Sequence, residues 1–345
     1  MIGAPVFRYV LTPDWAGDSL ARAAQAVPSL DLNFAATKNV GPLVTFTRAS
    51  SATFINSAGT LQTAAVDVPR FDYNPTTGES LGLLVEEQRT NLLLNTATLS
   101  TQSVTVTAAA HTLSFYGSGT VTLSGASTAG PAVGSGAFPA RTTLTFTPSA
   151  GTLTLTVTGS VTSAQLEAGA FATSYIPTTT AAATRSADVA SITGANFSSW
   201  YRQDEGTVFA DVALAQPNSG GNQFVFRASD NGYNNSVAWN IQSSGFASLA
   251  TAAGGVFDGI ASSVTALTPN LPAKFAAGYQ ANNLALSLSG ATSVIDISAT
   301  LPTALTRADI GSDHAGVNRV KAGTIRRLTY WPQRLSNSTL QTITQ

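Results

Sequence analysis

Between Leu92 and Leu166 the chain carries one formal charge, Arg141, and its apolar residues recur at every second position. Leu113 and Phe115, Val121 and Leu123, Leu144 and Phe146, and Leu153, Leu155 and Val157 each alternate with Thr, Ser or Gly. A period of two sends successive side chains to opposite faces of a strand. The stretch therefore reads as half-buried antiparallel strands with one wet face. Pro148-Ser-Ala-Gly151 is expected to join two of them as a hairpin. Short strands between Gly-rich turns suggest a small sandwich or jelly roll. Thr-rich edges without charge invite pairing with another chain, so self-association is expected.

The rest of the composition agrees with an all-β protein. Ser and Thr make up roughly a quarter of the 345 residues, and only 10% are charged, against about 25% in ordinary domains. β-Branched residues favour strands, and 29 Gly with 15 Pro supply turns. Hydrophobic residues at 43% are enough for a sizeable core. The length suits two or three domains. With a net charge of −1 and no basic stripe, nucleic acid is not an expected partner. The absence of cysteine excludes disulfides and zinc–thiolate sites. No apolar run approaches the roughly 20 residues of a membrane span. Asp14 and Asp18 interrupt any signal-peptide core. A soluble protein made in a cytoplasm is expected.

Five segments follow from shifts in pattern. Residues 1–30 form an arm. Thr12 suits an N-cap, Pro13 the first helical position and Asp14 the positive dipole end. Leu20, Ala23, Ala24 and Val27 keep helical spacing until Pro28. This helix either packs on the domain beside it or docks a larger partner. Residues 31–91 form an irregular β junction, 92–177 the small jelly roll, 178–205 a linker and 206–345 a larger β-sandwich. In the last segment Phe275–Leu288 reads as a hairpin with Asn282 and Asn283 at its tip. Ser336 is expected to cap a closing helix.

The junction is dense in charge: Arg48, Arg70, Asp72, Glu86, Glu87 and Arg89. Glu86 and Glu87 are adjacent and point to opposite strand faces, so they do not serve one acid–base site. The segment reads instead as an irregular meander locked by ion pairs and hydrogen bonds. Its wording, Phe46-Thr-Arg-Ala-Ser-Ser-Ala-Thr, Pro69-Arg-Phe-Asp-Tyr and Gly82-Leu-Leu-Val-Glu-Glu-Gln-Arg-Thr-Asn-Leu-Leu, resembles a module of tailed-bacteriophage virion proteins. These are tail-fibre, receptor-binding or head-decorating proteins. Gln165-Leu-Glu-Ala-Gly-Ala-Phe-Ala-Thr-Ser-Tyr-Ile-Pro177 resembles the segment closing a carbohydrate-binding-like jelly roll. Thr324-Ile-Arg-Arg-Leu-Thr-Tyr-Trp-Pro-Gln-Arg-Leu-Ser resembles the last strand and exit of a concanavalin-A-like (laminin-G-like) lectin sandwich.

The resemblance implies a structural virion component, commonly trimeric, with loops available for glycan contact. By position, residues 1–30 would attach it to other virion proteins. The expected role is to present a lectin-like domain to host-surface polysaccharide. A purely structural head-decoration or head-fibre role is the alternative, and a glycan depolymerase a third.

Catalytic constellations are not evident. His111 lies among uncharged strands, and His314 sits in the loop Gly311-Ser-Asp-His-Ala-Gly-Val-Asn318 beside Asp313. Asp204 and Glu205 read as a solvated turn, and spacing alone does not pair Asp230 with Asp258 across a cleft. Asp230-Asn-Gly-Tyr-Asn-Asn235 lacks EF-hand spacing and reads as a turn. No catalytic residue, metal or cofactor is expected. Sugar sites combine aromatic faces with amide and carboxylate hydrogen bonds. Trp200, Tyr201, Tyr233, Trp239, Tyr330 and Trp331 supply the faces. Trp239 is expected in the core, and at most one of Tyr330 and Trp331 is expected to be exposed. The glycan-binding candidates are Tyr233, Asn234, Asn235, Asp313 and His314.

Overall fold

A computed structural model of the chain describes residues 19–218 and 220–345. These residues form an all-β protein of antiparallel sheets in β-sandwich and jelly-roll arrangements, with a short N-terminal helix. In the larger sandwich one sheet has eight strands. Its order is Val294–Asp296, Leu284–Leu288, Ala273–Gln280, Glu205–Leu214, Ala322–Trp331, Ser80–Glu86 and Arg70–Tyr73, with Leu30–Leu32 also paired to Ala322–Trp331. The other has seven, ordered Thr45–Thr47, Val189–Thr193, Arg307–Ile310, Gln223–Ser229, Ser236–Ile241, Phe246–Ala253 and Val256–Ala266. Phe34, Leu83, Ile192, Val208, Val225, Trp239, Phe275 and Tyr330 belong to the shared core.

The sheets cut across the segment boundaries read from the sequence. Residues 30–91 place three strands in the eight-stranded sheet and Thr45–Thr47 in the seven-stranded one. The stretch 178–205 is not a bare linker. Ala183–Arg185 pairs with Arg89–Asn91, and Val189–Thr193 lies between two strands of the seven-stranded sheet. A strand chooses its partner by edge and buried face, which sequence proximity does not encode when strands are three to five residues long.

The smaller sandwich faces a four-stranded sheet of Ala132–Val133, Thr120–Gly125, Gly151–Thr158 and Gln102–Val106 against three strands, Thr142–Phe146, His111–Tyr116 and Thr162–Ala168. Leu113, Phe115, Val121, Leu153, Leu155 and Leu166 fill it. Two expectations change here. Thr142–Phe146 and Gly151–Thr158 lie in different sheets, so Pro148–Gly151 turns a corner of the sandwich and makes no hairpin. The strand His111–Tyr116 has no wet face. Thr112 Oγ1 donates to Gly169 O at 2.8 Å, and Arg141 Nη2 donates to Ser114 Oγ at 2.7 Å, so the polar face is buried with its partners supplied.

The helix Ser19–Ala24 lies beside Asn337–Ile343 on the outer face of the eight-stranded sheet. Leu20, Ala24, Leu340 and Ile343 cover Phe209, Ala276, Ala285 and Trp331. Tyr330 and Trp331 do point to opposite faces, yet both are buried, because the helices cover the second face. Ser336 caps the closing helix, accepting Thr339 N–H at 3.1 Å. Thr12, Pro13 and Asp14 lie outside the described residues. The helix ends before Val27, which is 54% exposed.

The junction charges meet in the interior. Asp188 accepts from Arg48 Nη1 at 3.1 Å and Arg70 Nη2 at 2.5 Å. Glu86 Oε2 takes Arg70 Nη1 at 2.8 Å and Arg185 Nη1 at 3.0 Å. All five side chains are at most 2% exposed. Glu86 also receives Ser174 N–H at 2.7 Å and its hydroxyl at 2.6 Å, which ties the exit of the small sandwich to the large one. Glu87 stays outside the network, paired with Arg89 at 2.6 Å and Lys321 at 3.1 Å. Burial opposes ionisation of Glu86, but Arg185 and Arg70 outweigh it and bring its carboxyl down to about 2. Asp72, by contrast, is pushed up to about 6 by burial and by Glu86, despite the pull of Arg70.

Removing one member of such a network leaves an unpaired buried charge, at a cost of about 3–5 kcal/mol. Asp188→Asn is expected to destabilise the protein by about that amount, read from urea denaturation. The two shifted carboxyls give opposite pH slopes. Glu86, lowered on folding, contributes stability above pH 4.5 that is lost as pH falls toward about 2. Asp72, raised on folding, contributes stability below pH 3.8 that is lost as pH rises through about 6. Asp72→Asn keeps the acceptor for Ile55 N–H. It is therefore expected to raise Tm over wild type at pH 7.5, with the gain vanishing near pH 4, by thermal melts across pH.

Candidate functional site

The outer face of the seven-stranded sheet carries a groove of about 440 Å3. Its floor follows from alternation. Val237, Trp239 and Ile241 point into the core, which turns Ser236, Ala238 and Asn240 outward. On the neighbouring strand, Ala247 and Leu249 point in while Ser248, Ala250 and Ala252 point out. Small side chains leave room above the sheet. Ser248 Oγ donates to Asn240 Oδ1 at 2.7 Å, which fixes the carboxamide. Asn240 Nδ2 makes no hydrogen bond within the described residues. Phe257 and Ile260, 60% and 40% exposed, line the groove from the edge strand.

Tyr233 also lines the groove and is 50% exposed. It is the one aromatic of the six considered that is available to solvent. Trp200, Tyr201, Trp239 and Tyr330 join a buried aromatic cluster with Phe197 and Tyr279. Three contacts hold the Tyr233 side chain. Its hydroxyl donates to Asp313 Oδ2 at 3.0 Å. His314 meets it edge-on, with centroids 4.6 Å apart. The buried Arg227 guanidinium sits 5.3 Å from its centroid. That guanidinium in turn donates to His314 Nδ1 at 3.1 Å and to Gly232 O at 2.6 Å. Burial, together with donation to Asp313, pushes the phenol of Tyr233 up.

Asp313 is the anchor of this end. It is 2% exposed and accepts Val317 N–H at 2.9 Å, Asn318 N–H at 3.1 Å and Asn318 Nδ2 at 2.9 Å. Burial opposes its ionisation, but these bonds prevail and hold its carboxyl below the ordinary range. Folding thus brings together three of the five sequence candidates, Tyr233, Asp313 and His314. Asn235 is spent on the turn, donating to Asp230 Oδ2 at 2.9 Å and accepting Gly254 N–H at 2.9 Å. Asn234 is exposed, and its carbonyl accepts Gly255 N–H. Arg227, Asn240 and Ser248 were not foreseen. The available signal was the small, polar alternate set Ser236-x-Ala238-x-Asn240 on a strand whose other face is wholly apolar.

The other candidates lie elsewhere. His111 is 1% exposed, bonded through Nδ1 to Ala109 O at 2.8 Å and stacked on Phe146. Asp204 and Glu205 pair with Arg202 at 2.6 and 2.8 Å at the surface. Asp230 to Asn235 form a turn closed by Asp230 N–H on Asn235 O.

No protein-family model matches the chain, and no curated protein matches it in sequence. Solved structures resemble parts of it. A NanB sialidase from Streptococcus pneumoniae aligns over 44% of this chain and 26% of its own, at 14% identity and TM-score 0.37. The Ruminococcus gnavus IT-sialidase CBM40 bound to α2,3-sialyllactose covers 41% of this chain and 83% of its own, at 13% identity and TM-score 0.36. Domain 4 of AbnA, a GH43 extracellular arabinanase from Geobacillus stearothermophilus in complex with arabinotriose, covers 46% and 73%, at 11% identity and TM-score 0.38. The chain thus spans about a quarter of the length of the sialidase it matches.

The four hydrogen bonds on Asp313 give a local prediction. Asp313→Ala is expected to speed amide exchange at Val317 and Asn318, while amides of the strand Gln223–Ser229 keep their protection. Hydrogen exchange by NMR or mass spectrometry measures both.

Proposed function

We propose that this chain is a non-enzymatic structural component of a tailed-bacteriophage virion that presents a glycan-binding groove to the host surface. The observation that carries the binding role is Tyr233, a half-exposed ring fixed by Arg227, His314 and Asp313 at a groove floored by small serine, alanine and asparagine side chains. A sugar can stack its C–H face on that ring while Asn240 Nδ2 donates to a hydroxyl. Rigid mounting lowers the entropy lost on binding. The virion role rests on the resemblance of the Phe46–Leu93 motifs, with attachment to other virion proteins through the N-terminal region and assembly as a homotrimer.

A purely structural, head-decorating role has its own support. The edge strand Val256–Ala266 exposes Val256 and Val264 at 62% and 73%, and Ile295 and Ile297 on the adjacent edge are 55% and 74% exposed. Each edge carries a single acid, Asp258 or Asp296, beside these exposed apolar side chains, and such apolar edges suit contacts within an assembly.

Glycan-array binding of the full chain is expected to find a host-surface polysaccharide. Tyr233→Ala should weaken that binding at least tenfold, with Tm changed little because the ring is a surface group. Absence of binding to any host polysaccharide sinks the receptor role and leaves the structural one. Mass photometry is expected to give a trimer, and a clean monomer at micromolar concentration counts against assembly.

A further inference from the structure

The seam between the two sandwiches holds another open pocket, also of about 440 Å3, that shares no lining residue with the groove. Three polar side chains line it with incomplete partners. Tyr116 is 8% exposed, packed on Phe138 at 5.2 Å, and its hydroxyl makes no hydrogen bond to the described residues. Asp72 accepts Ile55 N–H at 2.6 Å, but among the described residues no cation lies within ion-pair distance of its carboxylate. Arg141, contributed by the small sandwich, donates to Thr173 O and Ser114 Oγ, each at 2.7 Å. Both acceptors are neutral, and among the described residues no carboxylate pairs with this guanidinium. The phenol of Tyr116 feels all three influences, raised by burial, lowered by Arg141 and raised by Asp72. Leu61 and Pro272 add apolar wall.

We propose that this seam cavity binds a neutral polyhydroxylated ligand the size of a mono- or disaccharide, held by Tyr116, Asp72 and Arg141. A hydroxyl both donates and accepts, so neighbouring hydroxyls of one ligand accept from Arg141 and Tyr116 and donate to Asp72. The lining carries Asp72, Glu79 and Glu86 beside Arg141 and Arg326, so an anion or a cation alike would meet a like charge. The volume falls within the roughly 300–1,000 Å3 of small-molecule sites. Because both sandwiches contribute, an occupied cavity also clamps the seam.

The test uses the full chain with isotope-labelled tyrosine. The Tyr116 resonance is the one missing from the spectrum of Tyr116→Phe. Glucose, galactose, mannose and N-acetylglucosamine are titrated, with glucuronate and glucosamine as charged controls. At least one neutral sugar is expected to shift the Tyr116 resonance saturably, and the charged controls are expected to shift it less. Affinities are read by saturation transfer in the Tyr233→Ala background, so that the groove does not contribute. There, Tyr116→Phe and Asp72→Ala are each expected to weaken binding by roughly tenfold. Tyr116→Phe removes a hydroxyl without a protein partner, so Tm is expected not to fall, which separates lost binding from lost folding. The proposal is overturned if none of the four neutral sugars shifts Tyr116 at about 100 mM, or if both variants bind as the parent does. Binding here that survives Tyr233→Ala stands whatever the groove does.

Discussion

Three guanidiniums and two carboxylates in the interior, Arg48, Arg70 and Arg185 with Glu86 and Asp188, hold segments together that no single sheet joins. Withdrawing each charge from water costs several kcal/mol, recovered only when the geometry is good and the remaining polar atoms are bonded. That condition selects one arrangement. Arg48 also donates to Ser50 O and Ala65 O, and Asp188 also takes Glu86 N–H at 2.9 Å. Glu167, itself buried and bonded to Thr173 and Gln165, adds a third negative charge near Arg185. The network fixes the strands carrying Arg70 and Glu86 against the segment carrying Arg185 and Asp188, and so fixes both sheets of the large sandwich.

The groove depends on that frame at one remove. Its floor is the outward half of strands whose inward half, Val237, Trp239 and Ile241, packs in the core; Trp239 also donates to Ala277 O across the sandwich at 2.9 Å. The floor is therefore as rigid as the core. Its end is built differently. There, Arg227 on a strand, Tyr233 in one loop and Asp313 with His314 in another converge through hydrogen bonds and ring contacts. The loops at this rim are thus positioned by a stiff scaffold of strands.

Much of this was legible along the chain. The period of two located the strands around Leu113–Phe115, Val121–Leu123, Leu144–Phe146 and Leu153–Val157, and Ser336 and the Asn282-Asn283 tip sat where local chemistry put them. The density of Arg and acid in the junction foretold ion pairing. It did not foretell that Asp188, outside the segment, would bridge Arg48 and Arg70 over 140 and 118 residues. Pro148–Gly151 carries the same turn residues whether the chain doubles back in one sheet or crosses to the other. Tyr330 and Trp331 face opposite ways as their spacing requires, but which faces are dry depends on helices distant in sequence.

The sequence by itself determined that this protein is all-β, which faces of its strands are apolar, and that its charge is concentrated where segments meet. Those properties are local, set by side-chain alternation and by the composition of a few adjacent residues. Tertiary structure alone decided that four junction strands and Val189–Thr193 belong to the large sandwich, that Tyr233 and Asp313 converge on one groove, and that Tyr116 and Asp72 face one cavity. Each of these joins residues far apart in the chain, and such contacts follow from which edges and faces find each other when the core closes.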